Sequence, residues 1–250
     1  MKRIFILAIV LLLTLIPFGC KNAPAATPGD GAQTLMPPSA GDAIEASNGN
    51  AISPADAGAE IKNYEELVAA LNDTNVTRAH ISADMEISSS EEQTFEREGF
   101  ILTIDEGVTV TLGDGFIMVF FGSEEEPGVV VNGTLKIQGT MDFGAMTLLN
   151  NGTLEILSGG LLAPGMSTIE NHGTVSIDSN GQIRLERGSG LQNYANLVNQ
   201  GTIDITDDGG SLQNLAGATL ENNGHIAFNG NYQNEGVYQG AEQEPQGAVG

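Results

Sequence analysis

Apolar residues recur along this chain in two rhythms. Between Asn63 and Asn72 they fall at helical spacing, with Tyr64, Leu67, Val68 and Leu71 on one face, Asn63 in capping position and Glu66 three residues later. One short amphipathic helix is predicted there. Beyond it the spacing tightens to two. The runs Ala79–Ile81, Met85–Ile87, Phe100–Ile104, Val108–Leu112 and Phe116–Phe121 are short and bounded by Gly, Asp, Glu or Ser, which predicts strands. The last of these, Phe116-Ile117-Met118-Val119-Phe120-Phe121, has no polar face, and Glu124-Glu125-Glu126 behind it read as charges guarding an aggregation-prone segment.

From Val129 onward the pattern repeats as apolar-x-Asn-x-Gly-x-apolar-x-apolar. The copies are Leu148 to Ile156 with Asn150 and Gly152, Ile169 to Ile177 with Asn171 and Gly173, Leu197 to Ile205 with Asn199 and Gly201, and Leu220 to Phe228 with Asn222 and Gly224. A degenerate copy, Val129 to Ile137, keeps Gly133, and a fading one holds Tyr232, Asn234 and Gly236. Glycines 133, 152, 173, 201 and 224 are 19, 21, 28 and 23 residues apart. Between the copies, Leu191-Gln192-Asn193 and Leu212-Gln213-Asn214 recur 21 residues apart.

A period near 20 holding several short strands suits coils that stack in register. In this reading Gly and Asn take left-handed corner conformations, stacked Asn side chains bond along a column, and the alternating Leu, Ile and Val point inward. No single coil buries enough to offset its ordering entropy, so stacking is obligatory. The competing reading is an array of antiparallel hairpins, since Asn132-Gly133, Asn151-Gly152 and Asn223-Gly224 suit two-residue turns. Hairpins would place turn signals roughly 10 residues apart instead.

At these residues the chain resembles right-handed parallel β-helix proteins of the pectin-lyase-like class, and its Asn-x-Gly-Thr units resemble those of haemagglutinin and autotransporter passenger regions. The resemblance runs from about Glu60 to Tyr238. It implies an all-β, single-stranded right-handed β-helix (β-solenoid) over residues 59–238 with a short N-terminal capping helix, followed by a flexible tail at 239–250.

The N-terminus carries a different signal. Lys2 and Arg3 precede an apolar run from Ile4 to Ile16 that reaches roughly 20 Å as a helix, short of the ~30 Å hydrocarbon core, so residues 1–19 read as a signal peptide. The only Cys of the chain follows. Gly19-Cys20 resembles the lipobox of bacterial lipoproteins, although Pro17 and Phe18 depart from its preferred residues; the resemblance implies lipidation at Cys20 and attachment to a membrane through that lipid. Residues 20–58 hold five of the nine prolines and no hydrophobic period, so they read as a disordered linker.

Composition then removes function classes. With 9 Lys plus Arg against 32 Asp plus Glu and a net charge of -23, nucleic-acid binding is excluded and anionic lipid headgroups would repel the folded body. A single Cys excludes a disulfide framework. Elimination enzymes of the resembling class use an Arg or Lys base, subsite cations and Asp-bound calcium, yet past residue 100 only Lys136, Arg184 and Arg187 are cationic. Hydrolases of that class use clustered aspartates near a His. The nearest match is Asp207-Asp208 with His225, and an exposed turn is the plainer reading of that pair. His80 and His172 show no metal-ligand spacing. Calcium at Asp204, Asp207 and Asp208 is the one metal guess the acidic turns allow; no cofactor and no catalytic residue is expected. The expectation is a non-catalytic exported lipoprotein at the bacterial membrane or outer surface, whose β-helix contacts surface glycan or a host or envelope protein. The alternative is a carbohydrate-active lyase or hydrolase.

Overall fold

Three short strands per turn, each alternating inward and outward side chains, let a chain return to the same face one strand spacing further along. A computed structural model describes residues 58–88, 92–123, 126–240 and residue 245, and in it the chain winds as a parallel β-solenoid of about 8 turns. All of these residues belong to the unit Asn50–Gly250; a second unit, Met1–Gly49, lies outside the described residues. So do the signal peptide, Cys20, all of the linker but Gly58, and most of the tail.

Three sheets form the sides. The first has 9 strands, from Ala59–Ile61 to Asn231–Asn234; the second has 8, from Met85–Ile87 to Val237–Gly240; the third has 7, from Gln93–Glu98 to His225–Phe228. Every pairing among them is parallel, which removes the hairpin reading. Inward columns are aliphatic: Leu148, Ile169, Leu191 and Leu212 in the first sheet, Leu154, Val175, Leu197 and Leu220 in the second, Leu162, Ile183 and Ile203 in the third, all fully buried.

The predicted strands occur at Arg78–Ile81, Met85–Ile87, Ile101–Ile104, Thr109–Leu112 and Phe116–Gly122. The strand Gln93–Glu98 was not legible, because its half-buried positions are Gln93, Phe95 and Arg97 and so lack an apolar rhythm. Arg97 faces in for a reason. Its guanidinium donates to the carbonyls of Leu71, Asp73 and Val76 at 3.0, 2.9 and 2.8 Å and lies 5.7 Å from the Phe100 ring centroid, so it caps the C-terminal end of the helix α1 (Tyr64–Asn72).

At the other end of α1, Asn63 accepts from the Glu66 amide at 3.0 Å, and the Glu66 carboxylate accepts from the Lys62 amide at 2.7 Å. The helix packs on the first strands of the first and second sheets and buries Leu67 and Ala70, which closes the N-terminal end of the tube. Tyr64, expected on that buried face, is 36 % exposed and its hydroxyl reaches Gln93 Oε1 at 2.6 Å. The small Ala70 takes the inner position in its place.

The Asn-Gly repeat winds corners, but not one corner. Copies at Asn150 and Asn171 turn the chain from the first sheet to the second, whereas copies at Asn199 and Asn222 turn it from the second to the third. The 28-residue gap between Gly173 and Gly201 is therefore one turn plus one side. Asn193, Asn214 and Asn234 continue the first column, so the Leu-Gln-Asn element is the same corner without its glycine neighbour, or with it at Gly236. In the three preceding turns the corner position is Ile81, Ile104 and Val131.

Along the column each amide donates to the next: Asn150 to Asn171, Asn171 to Asn193, Asn193 to Asn214 and Asn214 to Asn234, all at 2.7 Å. The same nitrogens reach backbone carbonyls across the corner, at 3.0 Å from Asn150 to Thr174, 2.8 Å from Asn171 to Asn196 and 3.0 Å from Asn193 to Thr219. The ladder has a direction. Its first acceptor, Asn150 Oδ1, stands next to Val131 and has no hydrogen-bond partner. A shorter column runs from Asn199 to Asn222, also at 2.7 Å.

One expectation about the corners is corrected. Gly133, Gly152, Gly173, Gly201 and Gly224 do not take left-handed conformations. They are glycine because the previous turn's backbone is too near for a side chain: a Cβ would stand 2.2 Å from a carbonyl oxygen at Gly152, 2.1 Å at Gly173 and 2.3 Å at Gly224.

Candidate functional site

The outward side of the third sheet carries a depression that the strand pattern alone explains. Phe116–Gly122 turns Ile117, Val119 and Phe121 into the core, so the intervening Phe120 is half-buried on the outer face. Its ring lies over Gly144, where a Cβ would meet Phe120 Cε1 at 2.7 Å. Gly165 follows in register with Gly144, and neither has a left-handed φ. Beside these two glycines lies a furrow of about 350 Å³, walled by Phe120, Met166, Asp142 and Arg187. A second hollow of about 300 Å³ shares Phe120 and Gly144 with it and carries Glu96 and Glu98.

The corner beside the furrow is held in an uncommon backbone form. Ala145, Met166 and Arg187 take φ of 54°, 52° and 52°, at a cost of about 1 kcal/mol each. Adjacent turns clasp them, the Ala145 amide donating to Gly165 at 3.2 Å and the Met166 amide to Arg187 at 3.1 Å. Met166 is left 73 % exposed. Pro164 interrupts the ladder here: pairing with the next strand covers Leu161 and Leu162 and resumes only as a bridge between Gly165 and Glu186, in keeping with a residue that has no N–H to give.

Charge in the furrow is mainly negative. Burial pushes the Asp142 carboxyl above its usual range, against the pull of Arg187, while Glu186 pushes the same way as burial. The nearest cation, Arg187 Nη2, is 3.9 Å from Asp142 and only 2.6 Å from Glu186, so its charge is already engaged.

The residues singled out in the sequence lie elsewhere. Asp207 and Asp208 stand exposed in the corner after the strand Thr202–Ile205, and Asp208 accepts from the Thr206 hydroxyl, the main cause holding its carboxyl below the usual range. Asp204 is on the preceding strand, 3.8 Å from Arg184. Among the described residues no three His, Cys, Asp or Glu side chains come together to hold a metal ion, so the geometry lends the calcium guess no support. His225 opens the next strand of the third sheet, in register with Thr202. His172 stacks on Tyr194 with centroids 4.4 Å apart and rings 7° from parallel, with Glu170 at 3.9 Å. His80 Nδ1 pairs with Asp105 Oδ2 at 2.7 Å, a pair the sequence reading did not single out. The hydroxyl nearby, Ser82 Oγ, donates instead to Glu60 at 3.0 Å. The furrow was missed as well. Its one signal was a pair of glycines, Gly144 and Gly165, outside the Asn-x-Gly unit.

Comparison with protein-family models, with curated proteins and with solved structures gives no match for this chain.

Proposed function

We propose that the chain is a non-catalytic lipoprotein, anchored through Cys20, whose β-helix of the pectin-lyase-like kind presents a long outer face for adhesion or glycan contact. The observation that carries this reading is the furrow on the third sheet. An outward aromatic, a glycine floor and flanking polar groups suit the mixed apolar and hydroxylated surface of a sugar ring. Asp208, one of the two carboxyls considered with His225 for acid and base work, is held below its usual range mainly by the Thr206 hydroxyl and is poorly suited to deliver a proton.

Two readouts on the full-length protein test the reading. Cys20→Ser is expected to move it from the membrane to the soluble fraction, and a glycan array is expected to report binding that Phe120→Ala lowers at least tenfold. Persistence of the Cys20→Ser variant in the membrane fraction would remove the anchor, and an empty array would remove glycan contact.

One observation favours a second reading. Burial, with Glu186 adding to it, pushes the Asp142 carboxyl above its usual range, which is the direction a glycoside hydrolase needs for its acid. Reducing-end release from a panel of polysaccharides, abolished in Asp142→Asn, would establish that reading over the scaffold; no release from any member of the panel is expected.

A further inference from the structure

The charges around the furrow select among ligands. Asp142 faces it as an acid, Glu96 and Glu98 line the adjoining hollow that shares Phe120 and Gly144, and the furrow's cation, Arg187, lies 2.6 Å from Glu186 and 3.9 Å from Asp142. A uronate or sulfated glycan would add negative charge to a wall already in excess and to a chain of net charge -23. A neutral sugar would further desolvate Asp142 and offer it no counter-charge. A ring that carries an ammonium group meets both conditions. We propose that the furrow binds a cationic amino sugar, a glucosamine-type unit of a glycan, with its C–H face on Phe120 and Met166 and its ammonium at Asp142.

A lysine-rich peptide would satisfy the charge but not the floor. Beneath the furrow the strands Thr140–Gly144 and Leu161–Gly165 pair with each other in register, so an extended peptide finds no free edge to join and would hold on by side chains alone. A sugar ring needs no such edge. Gly165 lies on the floor of the furrow. It has no left-handed φ, and a Cβ there would touch nothing closer than the Arg187 guanidinium at 3.7 Å, so neither backbone nor packing demands glycine. Its missing side chain leaves the space in which the Arg187 guanidinium lies, so a larger residue there would push that group into the furrow.

The inference rests on the glycan-contact reading, and the experiment separates the two. Full-length protein in detergent is titrated calorimetrically with a glucosamine tetramer, the N-acetylated tetramer, a galacturonate tetramer and tetralysine. The glucosamine tetramer is expected to bind at least tenfold more tightly than the others. Asp142→Asn is expected to weaken it at least tenfold, and Gly165→Leu to remove it with the melting temperature unchanged. Equal or tighter binding of the N-acetylated or uronate tetramer would overturn the amino-sugar assignment and leave glycan contact standing. Equal binding of tetralysine, lost in the same variants, would overturn it in favour of a peptide ligand. No binding by any sugar would overturn both.

Discussion

Gly173→Ala is expected to cost the solenoid at least about 3 kcal/mol, the upper range for overpacking, because the strain cannot be relieved by a side chain turning away. The added methyl carbon would stand 2.1 Å from the Gly152 carbonyl oxygen and 2.8 Å from the Asn151 carbonyl carbon, both backbone atoms of the turn below. Relief requires the two turns to separate, and the ladder bonds of His172 to Asn150 and Thr174 to Gly152, at 2.8 and 2.9 Å, would go with them. Gly165→Ala supplies the contrast, since its new atom meets ordinary contact distances and glycine's entropic disadvantage in a strand is removed; its stability is expected to be unchanged or raised by about 0.5 kcal/mol. Urea unfolding of both variants checks the pair. Equal stabilities would mean that the corners do not nest as closely as described.

The second large effect concerns the buried amides. Asn193 is fully buried, donates to Asn214 at 2.7 Å and to the Thr219 carbonyl at 3.0 Å, and accepts from Asn171 at 2.7 Å. Asn193→Ala leaves the Asn214 oxygen without its ladder donor and takes one of two acceptors from Asn171. At about 1–3 kcal/mol per orphaned buried group, the loss is expected to be about 3–5 kcal/mol, with the cavity included. The exposed Asn151, which donates to Asn132 at 3.0 Å one column further out, serves as the comparison. Asn151→Ala is expected to fall within about 0.5 kcal/mol of the parent. Thermal and urea unfolding measure both. A similar cost at the two positions would show that the inner column carries no special share of the stability.

These expectations depend on details only partly legible in the residues. Alternation and turn residues located the strands and the cap helix, because those patterns are set by which side chains face the core. The phase of the repeat was not legible. Two of the three corners follow a strand whose last inward residue can be Asn, so Leu148 to Ile156 and Leu197 to Ile205 read alike although they turn different corners. In the first turns Ile81, Ile104 and Val131 fill that position, and the signal vanishes while the geometry persists. The role of the glycines was misread for a related reason: sequence shows that a side chain is absent, not whether dihedral angle or a neighbouring backbone forbids it. Gly165, where neither does, is the case that marks the furrow. Asp142 gave no signal because its carboxyl is pushed up by burial, with Arg187 pulling against it and Glu186 adding to it from another turn, which no local pattern joins.

The stacking of turns in register is the claim on which the rest stands, and spin-label distances test it most directly. In the second sheet Glu86, Thr111, Lys136, Glu155, Ser176, Val198 and Glu221 occupy one outward column, one per turn. In a Cys20→Ser background, label pairs at Lys136–Glu221, Thr111–Glu221 and Glu86–Glu221 are expected to give distances rising in equal steps, about 19, 24 and 29 Å between backbones at about 4.8 Å per turn. Distances that fail to rise in order, or that jump by the length of a strand, would contradict the solenoid.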